Sequence, residues 1–354
     1  MNIAIIYHDA DFDGKLSNEV CRYHLKRQFP EANIHSYGWD YGRPVPSPTA
    51  LGQIKFLPES GQGGSLGSRA GDWFDYHAIY IVDLSVDELM GRRDLRDTIV
   101  WIDHHKSAIE KWDKPTFGRP ENDGGPDYAL PGFNGIRIDG VAACRLCWQW
   151  FTWAKNQDGT MKEFVPPLLK STFVDHEVQE PRLIRLAGEY DIWDHRDPDA
   201  KVLQFGLRAL ENWDFDNLVG NEFLGAVTGA RTCSDELVRA ISQGRAIKSY
   251  CDKQNYEYSK TFSRTLNWEG LSFCCLNIGQ RGNSDLFLGG IQPHHDACFA
   301  WRDDGRNVTV SLYHIEGKTH LDLSLIATKY GGGGHRGACG FKLSLVELAK
   351  ILMS

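Results

Sequence analysis

Tyr7-His-Asp-Ala-Asp-Phe-Asp-Gly14 sets three carboxylates and an imidazole into the six positions 8–13, directly after an apolar run. That many acids in one turn repel one another unless a cation neutralises them. The plain alternative is an N-cap Asp flanked by harmless surface acids. A similar cluster recurs at Trp101-Ile-Asp-His-His-Lys106, again at the end of an apolar run. The backbone turns there, so one imidazole can bind a metal while its neighbour meets a substrate. The adjoining carboxylate can fix a ring's orientation and tautomer. Between them Ile81-Val82-Asp83 ends a third run, where a lone Asp usually caps a helix. Far downstream, the glycines of Gly331-Gly-Gly-Gly-His-Arg336 would let a backbone approach an anion closely, with His335 and Arg336 as added donors. Its bland alternative is a flexible loop.

Mixed carboxylate and imidazole ligands suit manganese better than a thiolate-free zinc site or an all-oxygen magnesium site. Two such ions can clamp both the attacking and the leaving oxygen of a displacement at phosphorus.

The elements that must hold these groups follow from the apolar pattern. Residues 2–7, 34–37, 78–82 and 98–102 read as strands, with helices at 16–29 and 86–95 between them. Alternating apolar strands and helices predict an α/β fold on a parallel sheet covered on both faces. Carboxyl ends of such strands are where ligands bind. Residues 42–72 and 114–137, rich in Gly and Pro, read as long loops, and 139–210 reads as mostly helical. A charged helix over 235–262 leads to a second, smaller α/β lobe with strands at 273–277, 297–301 and 308–313.

Composition bounds the rest. The chain has 354 residues, 42% hydrophobic and 24% charged, which fits an ordinary globular protein of about two domains. A formal charge of −8 argues against gripping long nucleic acid through bulk positive potential. No apolar stretch is long enough for a membrane helix or a signal-peptide core, so a cytoplasmic location is expected. The nine cysteines read as free thiols, and the pair Cys144 and Cys147 as structural. His294-His295 reads as a surface loop. Trp193 and Trp301 are candidates to stack on a base, although core is the usual home of a tryptophan.

Taken together, Asp9-Ala-Asp-Phe-Asp-Gly14, Asp83, Asp103-His104-His105, Glu189-Tyr-Asp-Ile-Trp193 and Gly332-Gly-Gly-His335 resemble the DHH phosphoesterase superfamily with its DHH-associated C-terminal domain. The resemblance implies a two-lobed manganese phosphodiesterase with two Mn2+ ions, Mg2+ being a possible substitute. The lobes would be a metal-binding catalytic domain over 1–234, a helical linker over 235–265 and a substrate-binding domain over 266–354. Carried over by position, it implies His8, Asp11, Asp13, Asp83, His104 and Asp191 as metal ligands, with Asp83 bridging. Either His8 or Asp9 would complete the first site, and Asp191 is preferred to Asp194. Asp103 would buttress a histidine, and His105 would face the scissile phosphate. Gly332, Gly333, Gly334 and His335 would hold the far end of the substrate. The phosphate-holding cation would be Arg281, Arg302 or Arg336.

The resemblance further implies short oligonucleotides or dinucleotides as partners, linear or cyclic, with no long duplex and no membrane. A homodimer is compatible with it. A nucleoside 3′,5′-bisphosphate phosphatase and a non-catalytic nucleotide-binding regulatory module are the alternatives. An inorganic pyrophosphatase is disfavoured, because that branch ends in a basic segment rather than a Gly-rich His motif.

Overall fold

A computed structural model describes residues 1–47, 55–56, 73–112, 117–118, 128–129, 132–153, 168–194, 196–210, 214–220, 234–279 and 284–353. They form two compact units, Met1–Arg245 and Ala246–Ser354. Most of the loops expected at 42–72 and 114–137 lies outside the described residues, as does Arg281.

The first unit is built on four parallel strands, β1 (Asn2–His8), β2 (Asn33–Trp39), β3 (Ala78–Val82) and β4 (Ile99–Ile102), in spatial order β2-β1-β3-β4. Ile3 and Ile5 face one core while Ala4 and Ile6 face another, and all four are fully buried. Burial on both faces is why these strands are apolar throughout rather than alternating. The chain leaves β1 on one side to form β2 and returns on the other to form β3. The strand order therefore reverses between β1 and β3, the crevice position where open sheets of this kind take ligands. His8 closes β1, Asp83 follows β3 and Asp103 follows β4.

Helix α1 (Phe12–Gln28) starts at Asp11, whose carboxylate accepts the Gly14 N–H at 3.1 Å, a side-chain N-cap. Gly14 has no alternative, because a Cβ there would stand 2.0 Å from the His8 carbonyl oxygen. The helix expected over 86–95 is instead a single turn, α2 (Asp87–Met90), and a 3-10 segment at Arg93–Thr98. Gly91 and the extended backbone of Arg92 separate them, so Leu89 and Leu95 reach the core from two short pieces rather than one helical face.

The remaining α-helices among the described residues of this unit are α3 (Lys106–Trp112), α4 (Ala143–Thr152), α5 (Lys170–Val174), α6 (Arg182–Asp191), α7 (Pro198–Ala209) and α8 (Phe215–Val219). Cys144 and Cys147 sit on α4 as buried free thiols. Helix α4 also buries a charge. Arg145 Nε donates to both Glu180 oxygens at 3.0 and 3.1 Å, and its Nη2 donates to the Phe173 carbonyl at 3.1 Å. The two side chains are 1% and 3% exposed. The pair ties α4 to the segment that leads into α6.

A long helix, α9 (Asp235–Phe262), carries the chain into the second unit. That unit holds β5 (Arg264–Trp268), β6 (Leu271–Asn277), β7 (Ala297–Asp303), β8 (Val308–His314), β9 (Gly333–His335) and β10 (Ala338–Leu343), with α10 (Leu323–Lys329) and α11 (Leu345–Met353). Its sheet is mixed, in order β9-β10-β8-β7-β6-β5, with only β6 and β7 parallel. Phe273, Phe299 and Phe341 pack on one face, and Cys274, Leu276 and Phe287 on the other. His295 is a correction to the expected surface pair: it is 2% exposed. Its Nδ1 accepts the Gln292 N–H and its Nε2 meets Thr265 Oγ1 at 2.9 Å, which makes it a loop-fixing residue. No helix among the described residues is long and apolar enough to cross a membrane.

Removing one member of a buried ion pair strands the other without a partner, a loss of about 3–5 kcal/mol. Arg145→Ala should therefore lower unfolding free energy by that amount in urea titrations. The double variant Arg145→Met with Glu180→Leu should recover most of it.

Candidate metal centre

The carboxyl ends of β1, β3 and β4 and the last turn of α6 converge on one cluster. Three overlapping groups of potential ligands form there: His8, Asp11 and Asp83; Asp13, His104 and Asp191; and Asp83, His104 and His105. In each group the ligand atoms all lie within 4.8 Å of one another. His8 Nδ1 stands 2.9 Å from Asp11 Oδ2 and 3.4 Å from Asp83 Oδ2. His104 Nε2 stands 3.3 Å from Asp83 Oδ1, 3.4 Å from Asp191 Oδ2 and 3.6 Å from Asp13 Oδ2. Asp83 and His104 thus each belong to two groups.

Local backbone explains the convergence. Asp83 adopts φ of +63°, a left-handed conformation that Asp tolerates better than most residues. Asp13 is anchored from below, its two oxygens accepting the Ala143 and Cys144 N–H groups at 2.7 and 2.8 Å. These are orphan donors at the start of α4, where the helix dipole favours an anion. Asp103 is fully buried. Its Oδ1 accepts the His104 N–H at 2.7 Å and the His105 N–H at 3.2 Å, and it meets His105 Nδ1 at 2.7 Å. A carboxylate there keeps the proton on Nδ1 and fixes the His105 ring.

The charges suit a cation. Neither oxygen of buried Asp83 has a hydrogen-bond partner among the described residues. Burial pushes the Asp83 carboxyl well above the usual range, and the nearby Asp13 charge adds to it. Asp191 is pushed up by the same two causes in the same order. Burial opposes the charged form of His8, but its contacts with Asp11 and Asp83 outweigh that and raise it to about 11. Burial likewise opposes charge on His104, and Asp191 and Asp13 override it. A divalent ion held by these groups would neutralise the acids that crowd one another here, since their oxygens and the histidine nitrogens lie within 4.8 Å of one another in each group. Carboxylate and imidazole donors without a thiolate fit manganese or magnesium, not a soft metal.

Asp9, the alternative to His8, turns away from the cluster and accepts from Arg43 Nη1 at 2.8 Å. Asp194, the alternative to Asp191, is held by Arg196. Sequence reasoning missed the turn after β2. Asp40 Oδ1 reaches His8 Nε2 at 3.4 Å, and Tyr41 Oη accepts the Ser85 N–H at 3.1 Å. The signal was the carboxyl end of β2 itself, the same sheet edge that carries His8 and Asp83. Gly332, Gly333, Gly334, His335 and Arg336 belong to the second unit. Gly333–His335 is an edge strand paired to β10 rather than a loop. A Cβ at Gly332 would stand 2.1 Å from the Gly340 carbonyl oxygen, so close strand packing requires that glycine. Arg336 is committed to the Leu321 and His320 carbonyls. Arg302 lies near the end of β7.

Asp83→Asn removes a buried charge from among like charges and leaves an amide in a backbone conformation Asn tolerates. It should raise the melting temperature of ion-free protein by about 2–4 °C, the shift that ~1 kcal/mol gives in a unit of this size. It should also remove the melting-temperature gain produced by Mn2+.

No family model matches the sequence, and a search of the curated proteins finds no match. Similar solved structures include PggH, a pGpG-specific phosphodiesterase from Vibrio cholerae, 14% identical over 99% of this chain and 96% of its own, with a TM-score of 0.45. The DHH domain of a member of the s1p family of ribosomal proteins is 13% identical over 99% and 85%, with a TM-score of 0.48. Exonuclease RecJ bound to manganese is 11% identical over 99% and 88%, with a TM-score of 0.39. At such identities and TM-scores the likeness carries no activity, metal or substrate across. In chain path, over nearly its whole length, this protein is similar to solved proteins that include a DHH domain, a phosphodiesterase and an exonuclease.

Proposed function

We propose that this chain is a DHH-type, metal-dependent phosphodiesterase that hydrolyses short oligonucleotides or dinucleotides to mononucleotides. The observation that carries the reading is the pair of adjoining ligand groups, His8-Asp11-Asp83 and Asp13-His104-Asp191, joined through Asp83 and His104. Such a pair fits two divalent ions, manganese first and magnesium second. When bound, two such ions supply Lewis acidity to a phosphate and its nucleophile.

The chain's own residues do the rest. Asp13 is held by the amides of α4 and fixes one edge of the ligand set, while the helix end at Asp191 fixes the other. Asp103 keeps the His105 proton on Nδ1, so Nε2 is the atom turned to the scissile phosphate, where it can hold or pass a proton. The substrate-binding domain expected over 266–354, which lies within the second unit, would bind the far end of the substrate through Gly332 to His335. Arg336 already serves two backbone carbonyls, so it is the weaker candidate for a phosphate-holding cation there. The net charge of −8 supports a short substrate over a long strand.

Purified protein with Mn2+ should release mononucleotides from a linear or a cyclic dinucleotide. A longer single strand, a nucleoside bisphosphate and pyrophosphate should react more slowly, as read by chromatography beside a metal-stripped control. Exclusive turnover of the bisphosphate would replace this reading with the phosphatase. Dinucleotide binding without any turnover would replace it with the regulatory module.

His104→Ala should lower kcat by at least about 10²-fold, and Asp103→Ala by about 10–100-fold, with the fold retained by circular dichroism. His335→Ala should chiefly raise KM for dinucleotides. Full activity in both centre variants would remove the site assignment.

A further inference from the structure

Helix α6, which presents Asp191 to the centre, ends in an unusual cap. The Trp193 N–H bonds the Tyr190 carbonyl at 3.1 Å and the Asp194 N–H bonds the Glu189 carbonyl at 2.8 Å. That is the paired bonding of a Schellman ending, and its left-handed residue is glycine by default. Here the position is filled by Trp193, with φ of +58°. A bulky residue in that conformation is a genuine outlier and persists where surroundings hold it and function uses it.

Burial does not account for the choice. Trp193 is 44% exposed, and its ring lies near-parallel to Tyr190, 22° between planes and 6.4 Å between centroids. The cap beneath it is well fixed. Glu189, fully buried, accepts from Arg185 Nη1 at 2.8 Å and meets His176 Nε2 at 2.9 Å. Asp194 takes Arg196 Nε on both oxygens, and Arg196 Nη1 reaches the Val174 carbonyl at 2.9 Å. The largest aromatic side chain is thus presented to water on a rigid turn, two residues past Asp191, a span of at most about 7 Å.

We propose that Trp193 is a stacking platform for a nucleobase of the substrate, a base subsite on the first unit beside the ion centre. The inference rests on the phosphodiesterase reading and adds to it where the base goes. An uncharged, flat, exposed ring recognises the π-face of a base whatever its edge pattern. A phosphate or a free cation would be met instead by the charged groups of the centre. Stacking of this kind changes affinity by roughly 5- to 150-fold per base.

The test compares kcat/KM of the full chain with Mn2+ on 5′-pGpG and on dinucleotides of the same length carrying an abasic sugar at one end or the other. The quantity read is the ratio of base-bearing to abasic probe. Trp193→Gly should lower that ratio about tenfold or more for one of the two ends. Trp193→Phe should keep it within about threefold of wild type. Trp193→Gly should also melt no lower than wild type, since glycine suits the left-handed position. An unchanged ratio in Trp193→Gly, with dinucleotide hydrolysis intact, overturns the subsite alone. So does a fall in melting temperature with no change in the ratio, which would make Trp193 a packing residue. Wild-type protein that hydrolyses none of the probes overturns the proposed function and the subsite with it.

Discussion

Two backbone amides hold the first unit's chemistry together. The N–H groups of Ala143 and Cys144 take both oxygens of Asp13, and through them the start of α4 is fixed to the turn that follows β1. The same helix carries Arg145, whose buried guanidinium grips Glu180, just before α6 begins at Arg182. From there α6 runs to Asp191. One continuous path of charge-assisted hydrogen bonds and helix therefore connects Asp13 to Asp191, the two acids on either side of His104. Such bonds are short and directional, and in a low-dielectric interior they fix geometry more tightly than apolar packing does. The cluster of acids and histidines keeps its spacing because its scaffold is polar at the few points where position matters and apolar elsewhere.

How far this was legible in the sequence depended on whether a group's role shows in its neighbours along the chain. The strand ends at His8, Asp83 and Asp103 were readable because an apolar run stopping at acids and histidines is a local pattern. The parallel sheet followed from strands apolar on both faces. The turn at Asp40 and Tyr41 carries a weaker signal, its place at the carboxyl end of β2, because the residues themselves look like the start of a polar loop. Arg145 and Glu180 were equally silent: two opposite charges far apart in sequence carry no sign that they meet in the core. The single helix expected over 86–95 failed at Gly91 for a related reason, as two short pieces can share one apolar face.

Histidine and tryptophan marked the limit of composition-based reasoning. His295 is a structural residue because the Gln292 amide and Thr265 satisfy both ring nitrogens, which no residue count could reveal. Trp193 went the other way, into water rather than into the core. Within the Gly331–Gly334 run, whose plain reading is a flexible loop, two residues belong to an edge strand. A Cβ at Gly334 would crowd Cys339, much as one at Gly332 would crowd Gly340.

The bond between Asp13 and α4 also bears on how the protein comes to be folded. Its partners are separated by 130 and 131 residues, and His104 waits on Asp191 for its last carboxylate. Contacts of such sequence separation form late, because loop closure must precede any gain from them. A chain emerging from the ribosome can pair β1 with β2 and then add β3 and β4 while its acids still stand in water, mutually repelled but solvated. Only when α4 and then α6 have followed are Asp13 and Asp83 closed off from water. In that order of events the sheet would be complete before Asp13 and Asp83 are buried, and the electrostatic penalty of the centre would fall on a late stage of folding.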